Sequence, residues 1–387
     1  MTTQMHRLTI SAVARQTADC RSFQLCVPPG LQGRFDYRAG QHITFTIPWQ
    51  GGSIRRCYSL ASCPELHEPL EIAVKRVQGG RASNWMNDRL TIGDSIYASV
   101  PEGRFVLDPE TRPSTPLYLF AGGSGITPII SLLKSALATT KRPITMLYAN
   151  RDRASVIYGK QLAHLVSSHA GRVVLRQHLD SDDGLLSDSV VRDCVGDTDV
   201  AEFYLCGPER FMELVERVLL ESGAHEELIH VERFVSPVDP DRQGSGEATL
   251  QASKAPASFS LWLGGRSRTV PYERGKTLLE CARAAGLNPA HSCESGFCGS
   301  CMAHVKTGKV HMHTREALSD RDVARGVALL CQSVPASDEP LELDGDSTSF
   351  RAASAVKSSY GKRASQLAAM AVFAFMVAGT LILRFVH

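Results

Sequence analysis

Residues 291–301 read HSCESGFCGSC, and residues 329–333 read LLCQS. The two stretches contain four cysteines, Cys293, Cys298, Cys301 and Cys331. Their spacing is C-x4-C-x2-C, with 29 further residues before the fourth cysteine. This is the plant-type ligand spacing of a [2Fe–2S] cluster. Because four thiolates must converge on two irons, we predict that one tight loop supplies three metal ligands and a distant segment supplies the fourth.

Two other metal sites fit this cysteine pattern less well. Structural zinc sites favour two C-x2-C-like pairs, whereas this pattern has an x4 gap and a lone fourth cysteine. A Rieske centre needs two histidine ligands. Gly296 and Gly299 allow the loop to fold closely, and we expect their N–H groups and that of Ser300 to reach the sulfurs. The other seven cysteines are interpreted as small apolar side chains rather than ligands.

Composition sets limits on the kind of protein. The chain has 387 residues, enough for two or three domains, and a formal net charge of +2. There is no basic stripe typical of nucleic-acid binding, so we expect no nucleic-acid partner. The odd count of 11 cysteines and a start without an apolar leader argue against a disulfide framework. We therefore expect a reducing compartment.

Hydrophobic patterning divides the chain into several segments, so we predict a multidomain protein. Residues 1–110 contain short strands between turn residues, which predicts an antiparallel β-barrel. Residues 114–236 alternate apolar strands with helices, which predicts an α/β doubly wound domain. Residues 237–257 are rich in Pro, Gly, Ser and Ala and are interpreted as a linker. Residues 258–346 carry the cysteines and are predicted to form a β-grasp-like α+β domain, followed by a polar spacer over 347–363.

Residues 364–386 are predicted to form a C-terminal transmembrane helix. No charged residue occurs over the 20 positions 364–383, which corresponds to about 30 Å of helix. Lys357, Lys362 and Arg363 precede this segment, so the positive-inside rule predicts a single-pass anchor with the catalytic domains in the cytoplasm. A buried or amphipathic terminal helix is the alternative.

Three further motifs carry a family resemblance. They are RCYSLAS (56–62), AGGSGITP (121–128) and YLCGPERFM (204–212). With the cysteine motif, their order resembles the ferredoxin–NADP reductase superfamily with a C-terminal plant-type ferredoxin domain. The pattern is most similar to phenylacetyl-CoA epoxygenase reductases, which act as reductase components of oxygenase or desaturase systems. The resemblance covers residues 5–343 and implies FAD, a [2Fe–2S] cluster and NAD(P)H as cofactors.

The resemblance implies roles for the flavin-domain motifs. Arg56 would pair with the flavin pyrophosphate, as suits a guanidinium. Tyr58 would stack on the isoalloxazine, and Ser59 would lie near the flavin N5. The implied flavin-binding residues are Arg56, Cys57, Tyr58, Ser59, Val74, Lys75, Arg81, Ala82 and Ser83. The segment GGRAS (79–83) resembles FAD-binding relatives, although some relatives with the same modules use FMN.

The resemblance also implies a nicotinamide site where two parallel strands end. AGGSGITP lacks the Lys-Ser/Thr of a P-loop, and Pro128 replaces the third glycine of the Rossmann fingerprint. The implied nicotinamide-binding residues are Gly122, Gly123, Gly125, Thr127, Arg151, Cys206, Gly207 and Pro208. Cys206 would lie near the nicotinamide ring, so we predict Tyr58, Ser59 and Cys206 as the catalytic residues.

Two questions about the cofactors remain open in the sequence. Arg151 and Arg153 follow a strand and can hold a 2′-phosphate, which favours NADPH, whereas Asp152 is a candidate ribose ligand that favours NADH. Phe234, in HVERF, either covers the flavin as in some relatives or is a packing residue.

The sequence thus predicts an NAD(P)H-dependent reductase that passes electrons through FAD to the cluster and on to a partner. The predicted tail favours a membrane-bound oxygenase, desaturase or hydroxylase as that partner. A soluble Rieske-type or di-iron oxygenase is the first alternative. A redox sensor or carrier without turnover is the second.

Overall fold

The computed structural model describes residues 4–109, 112, 114–196, 198, 200–233 and 255–346. Most of the predicted linker, the spacer and the whole predicted transmembrane segment lie outside these residues. Across the described residues, no helix combines the length and apolar character needed to span a bilayer. The predictions of a membrane tail and of Phe234 near the flavin fall on residues outside this description.

The first sheet forms an antiparallel barrel. Its strands are β1 (His6–Thr17), β2 (Cys20–Cys26), β3 (His42–Trp49), β4 (Gly52–Ser59), β5 (Leu70–Lys75) and β6 (Ser95–Ala98). The strand order is β4-β3-β6-β1-β2-β5, and a bridge between Leu60 and Ile72 joins the two ends. Helix α1 (Arg81–Arg89) follows β5 and packs its buried face on the barrel. The predicted antiparallel barrel is therefore observed.

The second sheet is parallel, as the alternating pattern predicted. Its strands are β7 (Leu117–Gly122), β8 (Ile144–Asn150), β9 (Val173–Leu179), β10 (Glu202–Cys206) and β11 (Ile229–Glu232). Its helices are α2 (Ile126–Thr139), α3 (Gly159–Ser168), α4 (Asp180–Asp183), α5 (Asp188–Cys194) and α6 (Glu209–Glu221). The order β11-β10-β7-β8-β9 brings the carboxyl ends of β7 and β10 together, at the switch point where such sheets bind ligands.

The third sheet surrounds the cysteine motif. Its elements are β12 (Ser258–Leu263), β13 (Arg266–Pro271), α7 (Leu278–Ala284), β14 (Met302–Thr307), β15 (Val310–Met312), α8 (Asp320–Ala324), β16 (Val327–Leu329), β17 (Ser333–Pro335) and β18 (Glu342–Asp344). The mixed sheet has the order β13-β12-β18-β14-β16, and β15 pairs with β17 separately. Thr277 and Glu280 form a capping box at the start of α7.

Buried apolar residues connect the domains unequally. We refer to the described parts of residues 4–109, 114–233 and 255–346 as the flavin, nicotinamide and ferredoxin domains. One core contains Phe105 and Leu107 from the flavin domain together with Leu132 and Tyr204 from the nicotinamide domain. The ferredoxin domain has a separate core, which includes Leu261. The flavin and nicotinamide domains are therefore joined by apolar packing, whereas the ferredoxin domain packs its apolar side chains on itself.

Candidate functional site

The four predicted cluster ligands lie in two neighbouring pairs. The N–H of Cys293 donates to Cys298 Sγ at 3.4 Å, and the Cys301 carbonyl accepts the N–H of Leu330, the neighbour of Cys331, at 2.9 Å. All four side chains are buried. A [2Fe–2S] cluster places two protein ligands on each iron, so two adjacent pairs of buried cysteines fit this group.

The loop around the cluster follows from its glycines. Gly296 and Gly299 have φ values of +81° and +66°, a conformation that favours glycine. A Cβ at Gly296 would lie 2.9 Å from Thr314 Cγ2, so the loop also needs the missing side chain. The N–H groups of Ser295 and Phe297 donate to Cys293 Sγ at 3.4 Å each, and the Ser300 hydroxyl lies 3.3 Å from Cys298 Sγ.

Strand β4 carries the predicted flavin motif. The Arg56 guanidinium is half-buried, donates to the Arg55 carbonyl at 2.6 Å, and lies 5.9 Å from the centre of the Phe297 ring. Burial lowers the pKa of Arg56 and raises that of Tyr58. The hydroxyl oxygen of Ser59 is buried and has no hydrogen-bond partner among the described residues. A buried hydroxyl with unused hydrogen-bonding capacity at the end of the motif fits a bound flavin.

Cys57, on the same strand, contacts the cluster loop. Thr44 Oγ1 lies 3.1 Å from Cys57 Sγ and also hydrogen-bonds the Ser292 hydroxyl. The side chains of His42, Cys57 and Cys298 bring their ligand-type atoms within 4.8 Å of one another. Cys57 belongs to the predicted flavin motif and lies beside Cys298, one member of the predicted Cys293 and Cys298 ligand pair.

A charged contact reinforces this junction. Arg55 of the flavin domain pairs with Glu294 of the cluster loop at 3.0 Å. Arg283, within the ferredoxin domain, approaches the other oxygen of Glu294 at 3.3 Å. Glu294 thus links its own domain to the strand that carries the flavin motif.

The second predicted phosphate segment is placed at a helix start. Arg81 begins α1, and its guanidinium lies 5.8 Å from the Trp49 ring centre. Ala82 and Ser83 are buried, and Ser83 Oγ accepts the Val77 N–H at 3.1 Å. N–H groups at such a helix start favour phosphate.

Val74 and Lys75 end strand β5 beside the nicotinamide loop. The Val74 side chain is fully buried in the flavin-domain core. The Lys75 ammonium lies 3.9 Å from Asp19, and a Cβ at Gly123 would lie 3.9 Å from its Nζ. Lys75 therefore connects the barrel to the loop that we predict to bind the dinucleotide.

The nicotinamide loop packs tightly on the end of β10. A Cβ at Gly125 would lie 2.1 Å from the Cys206 carbonyl oxygen, and a Cβ at Gly122 would lie 2.8 Å from Pro208 Cδ. Gly207 approaches Gly122 closely in the same way. These glycines serve the packing of two strand ends and leave the backbone open to a ligand. Thr127 Oγ1 donates to the Ser124 carbonyl at 3.1 Å.

A buried histidine and a partly buried acid lie where the end of β11 meets the barrel. Burial raises the pKa of Glu232 to about 8, and burial lowers the pKa of His42 to about 4. Glu232 Oε1 lies 3.8 Å from His42 Nδ1. Burial, and then the Glu232 charge, raise the pKa of Cys206, which keeps its thiol protonated.

Comparisons with known proteins agree with this arrangement. Three family models match in succession: the oxidoreductase FAD-binding domain over residues 7–107, the oxidoreductase NAD-binding domain over 119–217, and the 2Fe-2S iron-sulfur cluster binding domain over 263–336. The ferredoxin reductase component of 3-ketosteroid-9-alpha-monooxygenase from Mycobacterium tuberculosis is 36% identical over 86% of this chain and 93% of its own. The chain belongs to this family of ferredoxin reductases.

Other relatives share the same organisation. A component of 1,2-phenylacetyl-CoA epoxidase from Escherichia coli is 29% identical to this reductase over 88% of this chain and 98% of its own. Phthalate dioxygenase reductase is similar in structure, with a TM-score of 0.55, 27% identity, and coverage of 88% and 98%. An intact type IV self-sufficient cytochrome P450 monooxygenase has a TM-score of 0.60 at 25% identity, and the matched region spans 41% of that longer chain.

The reductase thus contains domains for FAD, NAD(P)H and a [2Fe–2S] cluster, as predicted. On the question of the nicotinamide, Asp152 is engaged as a cap, accepting from Ser155 N at 2.8 Å and Oγ at 2.7 Å. Arg151 is exposed and approaches Asp19 at 3.8 Å. Both residues therefore have partners in the structure, and the choice between NADPH and NADH stays a prediction.

Sequence reasoning missed several residues of the reductase site. Glu232 stands two positions before Phe234 in HVERF, where a single acid in an apolar strand was a usable signal. Thr44, His42 and Ser292 gave no signal, because an isolated hydroxyl or imidazole has no spacing pattern. Arg55 and Glu294 are neighbours of predicted residues and become recognisable only when the two domains meet.

Proposed function

We propose that this reductase takes electron pairs from NAD(P)H and delivers single electrons to an oxygenase, desaturase or hydroxylase. The observation that carries the proposal is the position of the paired strands β3 and β4. Cys57 lies beside Cys298 of the cluster loop, and His42, which pairs with Ser59, lies 3.8 Å from Glu232 at the end of β11. FAD can accept a hydride and release single electrons, and the cluster can carry one electron at a time. The named relatives are components of oxygenases, which supports this class of partner.

In this proposal the side chains set distance and order. Arg56 and the start of α1 hold the flavin phosphates, and Tyr58 and Ser59 position the ring. Cys206 and the glycines of residues 122–125 bring the nicotinamide to it. Cys57, with Thr44 and Ser292, keeps the flavin motif against the Cys293 and Cys298 pair. A buried contact of this kind excludes water from the junction between the two redox groups.

Cys331→Ser tests the order of transfer. We expect the variant to lose the visible absorbance of the cluster and its reduction of cytochrome c. NAD(P)H should still bleach the flavin and reduce ferricyanide at rates within about twofold of the parent, because the flavin motif is left intact. If NAD(P)H does not bleach the flavin of the parent protein, the reductase function is wrong and the alternative of a redox sensor is favoured.

A finer proposal concerns where the partner is. The uncharged residues 364–383 support an integral-membrane acceptor, because anchoring raises the local concentration of the reductase near such a partner. A soluble oxygenase is the alternative. Deleting residues 364–387 should move the protein from the membrane fraction to the supernatant. Recovery of the full-length chain in the supernatant would contradict the anchor.

A further inference from the structure

A stripe of basic side chains runs along residues 309–315, the segment that contains strand β15 (Val310–Met312). Lys309, His311, His313 and Arg315 are exposed, while Val310, Met312 and Thr314 alternate with them and are partly buried. Val310 and Met312 pack on the ferredoxin core. The two imidazole rings meet edge to face at 5.8 Å. Exposed and partly buried residues alternate along the whole of 309–315, as they do on a strand with one face covered, so the four basic groups lie on the exposed side of this segment.

The stripe and the part of the cluster loop before it contain no acid, whereas Glu316 directly follows Arg315. Residues 295–315 include Cys298, Cys301 and the whole stripe, yet they contain no Asp or Glu. Arg315 pairs with Asp320 at 3.0 Å, but both side chains are more than half exposed. Exposed pairs of this kind contribute little, so Arg315 can exchange Asp320 for another carboxylate.

The basic stripe leads to the cluster. The N–H of His313 donates to the Gln332 carbonyl at 2.9 Å, and Gln332 directly follows the ligand Cys331. Thr314 packs against Gly296 of the cluster loop. The Gln332 amide lies 3.7 Å from Cys331 Sγ. His313 of the stripe is therefore joined by one backbone hydrogen bond to the residue that follows the predicted cluster ligand Cys331.

The flavin domain uses a different part of the same loop. Its contacts are made with Ser292, Glu294 and Phe297, beside the Cys293 and Cys298 pair. The flavin domain therefore covers the Cys293 and Cys298 side of the loop, whereas the exposed stripe lies beside Cys331. We propose that the basic stripe is the docking surface for an acidic patch on the protein that accepts electrons from the cluster. This inference rests on the proposed function, which requires such a protein.

The charges suit a short-lived complex. Complementary charges at the edge of an interface accelerate encounter by about 10- to 1,000-fold at low salt and add less to the lifetime of the complex. A reductase must release its acceptor after each electron. Docking through exposed Lys and Arg side chains next to the cluster meets both requirements.

The test reverses two charges of the stripe, in the double variant Lys309→Glu with Arg315→Glu. The matched control is Arg266→Glu with Arg268→Glu, because these arginines are also exposed and alternate on edge strand β13. The probes are cytochrome b5 as an acidic protein acceptor and ferricyanide as a small acceptor. Cluster absorbance verifies that each variant is folded.

We expect the stripe variant to reduce cytochrome b5 with kcat/KM at least tenfold lower at low ionic strength, and the control to change less than about twofold. The difference should shrink at high salt, and ferricyanide reduction should be unchanged. Equal loss in both variants, or no loss in either, would overturn the proposal while leaving the proposed function intact.

A membrane surface is the other possible occupant of a basic stripe. Sedimentation with phosphatidylserine vesicles separates the two. If the stripe variant loses vesicle binding while its cytochrome b5 kinetics match the parent, the stripe binds lipid and the docking proposal is wrong. If neither acceptor is reduced by the parent protein and NAD(P)H fails to bleach its flavin, the proposed function fails as well.

Discussion

The flavin domain meets its two neighbours through joints of opposite character. Towards the nicotinamide domain it presents Phe105 and Leu107, and the Phe105 ring packs edge-on against Tyr204 at 5.3 Å. Towards the ferredoxin domain it presents Thr44, Cys57 and Arg55, which contact Ser292 and Glu294 through hydrogen bonds and an ion pair. The first joint is an apolar core, and the second is polar.

The difference between the two joints matches the transfer that takes place at each: a hydride at the first and a single electron at the second. Hydride transfer requires the reacting atoms at about 3–3.5 Å in a fixed orientation, so the flavin and nicotinamide domains need a rigid connection. Buried polar contacts strengthen that connection: Lys134 pairs with Glu68 at 2.5 Å, and Ser131 Oγ donates to the Ser62 carbonyl at 2.6 Å. A single electron tolerates a looser separation, so polar contacts suffice at the cluster.

The largest effect is expected from breaking the apolar joint. Phe105→Ala should lower the free energy of unfolding by about 3–5 kcal/mol, because the residue is almost fully buried between two domains. Urea unfolding followed by flavin fluorescence measures this loss. Tyr97→Ala is the matched control, since this aromatic side chain is 54% exposed, and it should change stability by less than about 0.5 kcal/mol. If Phe105→Ala and Tyr97→Ala lowered the free energy of unfolding equally, Phe105 would not owe its contribution to burial between the two domains.

Glu232, which faces His42 of the barrel at the end of β11, is an acid whose titration should be visible. With a folded pKa of about 8, Glu232 keeps its proton in the range where the unfolded chain has already lost it. Stability should therefore fall as pH rises from about 4.5 to 8, by at most about 1.4 kcal/mol per pH unit. Glu232→Gln should flatten this slope, whereas Glu213→Gln, at an exposed position of α6, should leave it unchanged. An identical slope in the Glu232 variant would refute the raised pKa.

The polar joint should affect rate more than stability. Arg55→Ala removes the ion pair with Glu294, and a partly exposed pair contributes about 1 kcal/mol, or about fivefold in rate. In stopped-flow experiments, transfer from flavin to cluster should slow by that factor, and flavin reduction by NAD(P)H should not change. Arg55→Lys should recover part of the loss. A loss of flavin reduction in the alanine variant would show that Arg55 acts on the flavin instead.

The smallest effect is expected where the ferredoxin domain meets the nicotinamide domain. Glu226 pairs there with Arg321 at 3.1 Å and with Arg325, and all three side chains are about a third or more exposed. Glu226→Gln should slow transfer from flavin to cluster by no more than about twofold, and added salt should abolish the difference. If Glu226→Gln slowed the transfer from flavin to cluster more than Arg55→Ala does, the contact at Glu226 would be the more important of the two, contrary to this prediction.

The sequence predicts features that depend on local spacing. The predicted cysteine ligands, the glycines at residues 122–125 and the Arg56–Ser59 motif are each contained in short patterns whose chemistry limits the residue type. The joints are different, because Thr44 and Ser292 are separated by 248 positions and neither belongs to a periodic pattern. His42 and Glu232 likewise acquire their altered pKa values only through burial between domains, which no single segment encodes.

Because the ferredoxin domain has its own core, it can unfold separately from the other two domains. Regions that share buried side chains unfold cooperatively, whereas a region with its own core can open alone. Calorimetry should therefore show two transitions, one for the fused flavin and nicotinamide domains and one for the ferredoxin domain. Oxidative loss of the cluster would melt only the second unit, and the surviving unit would continue to oxidise nicotinamide with no outlet to its protein partner.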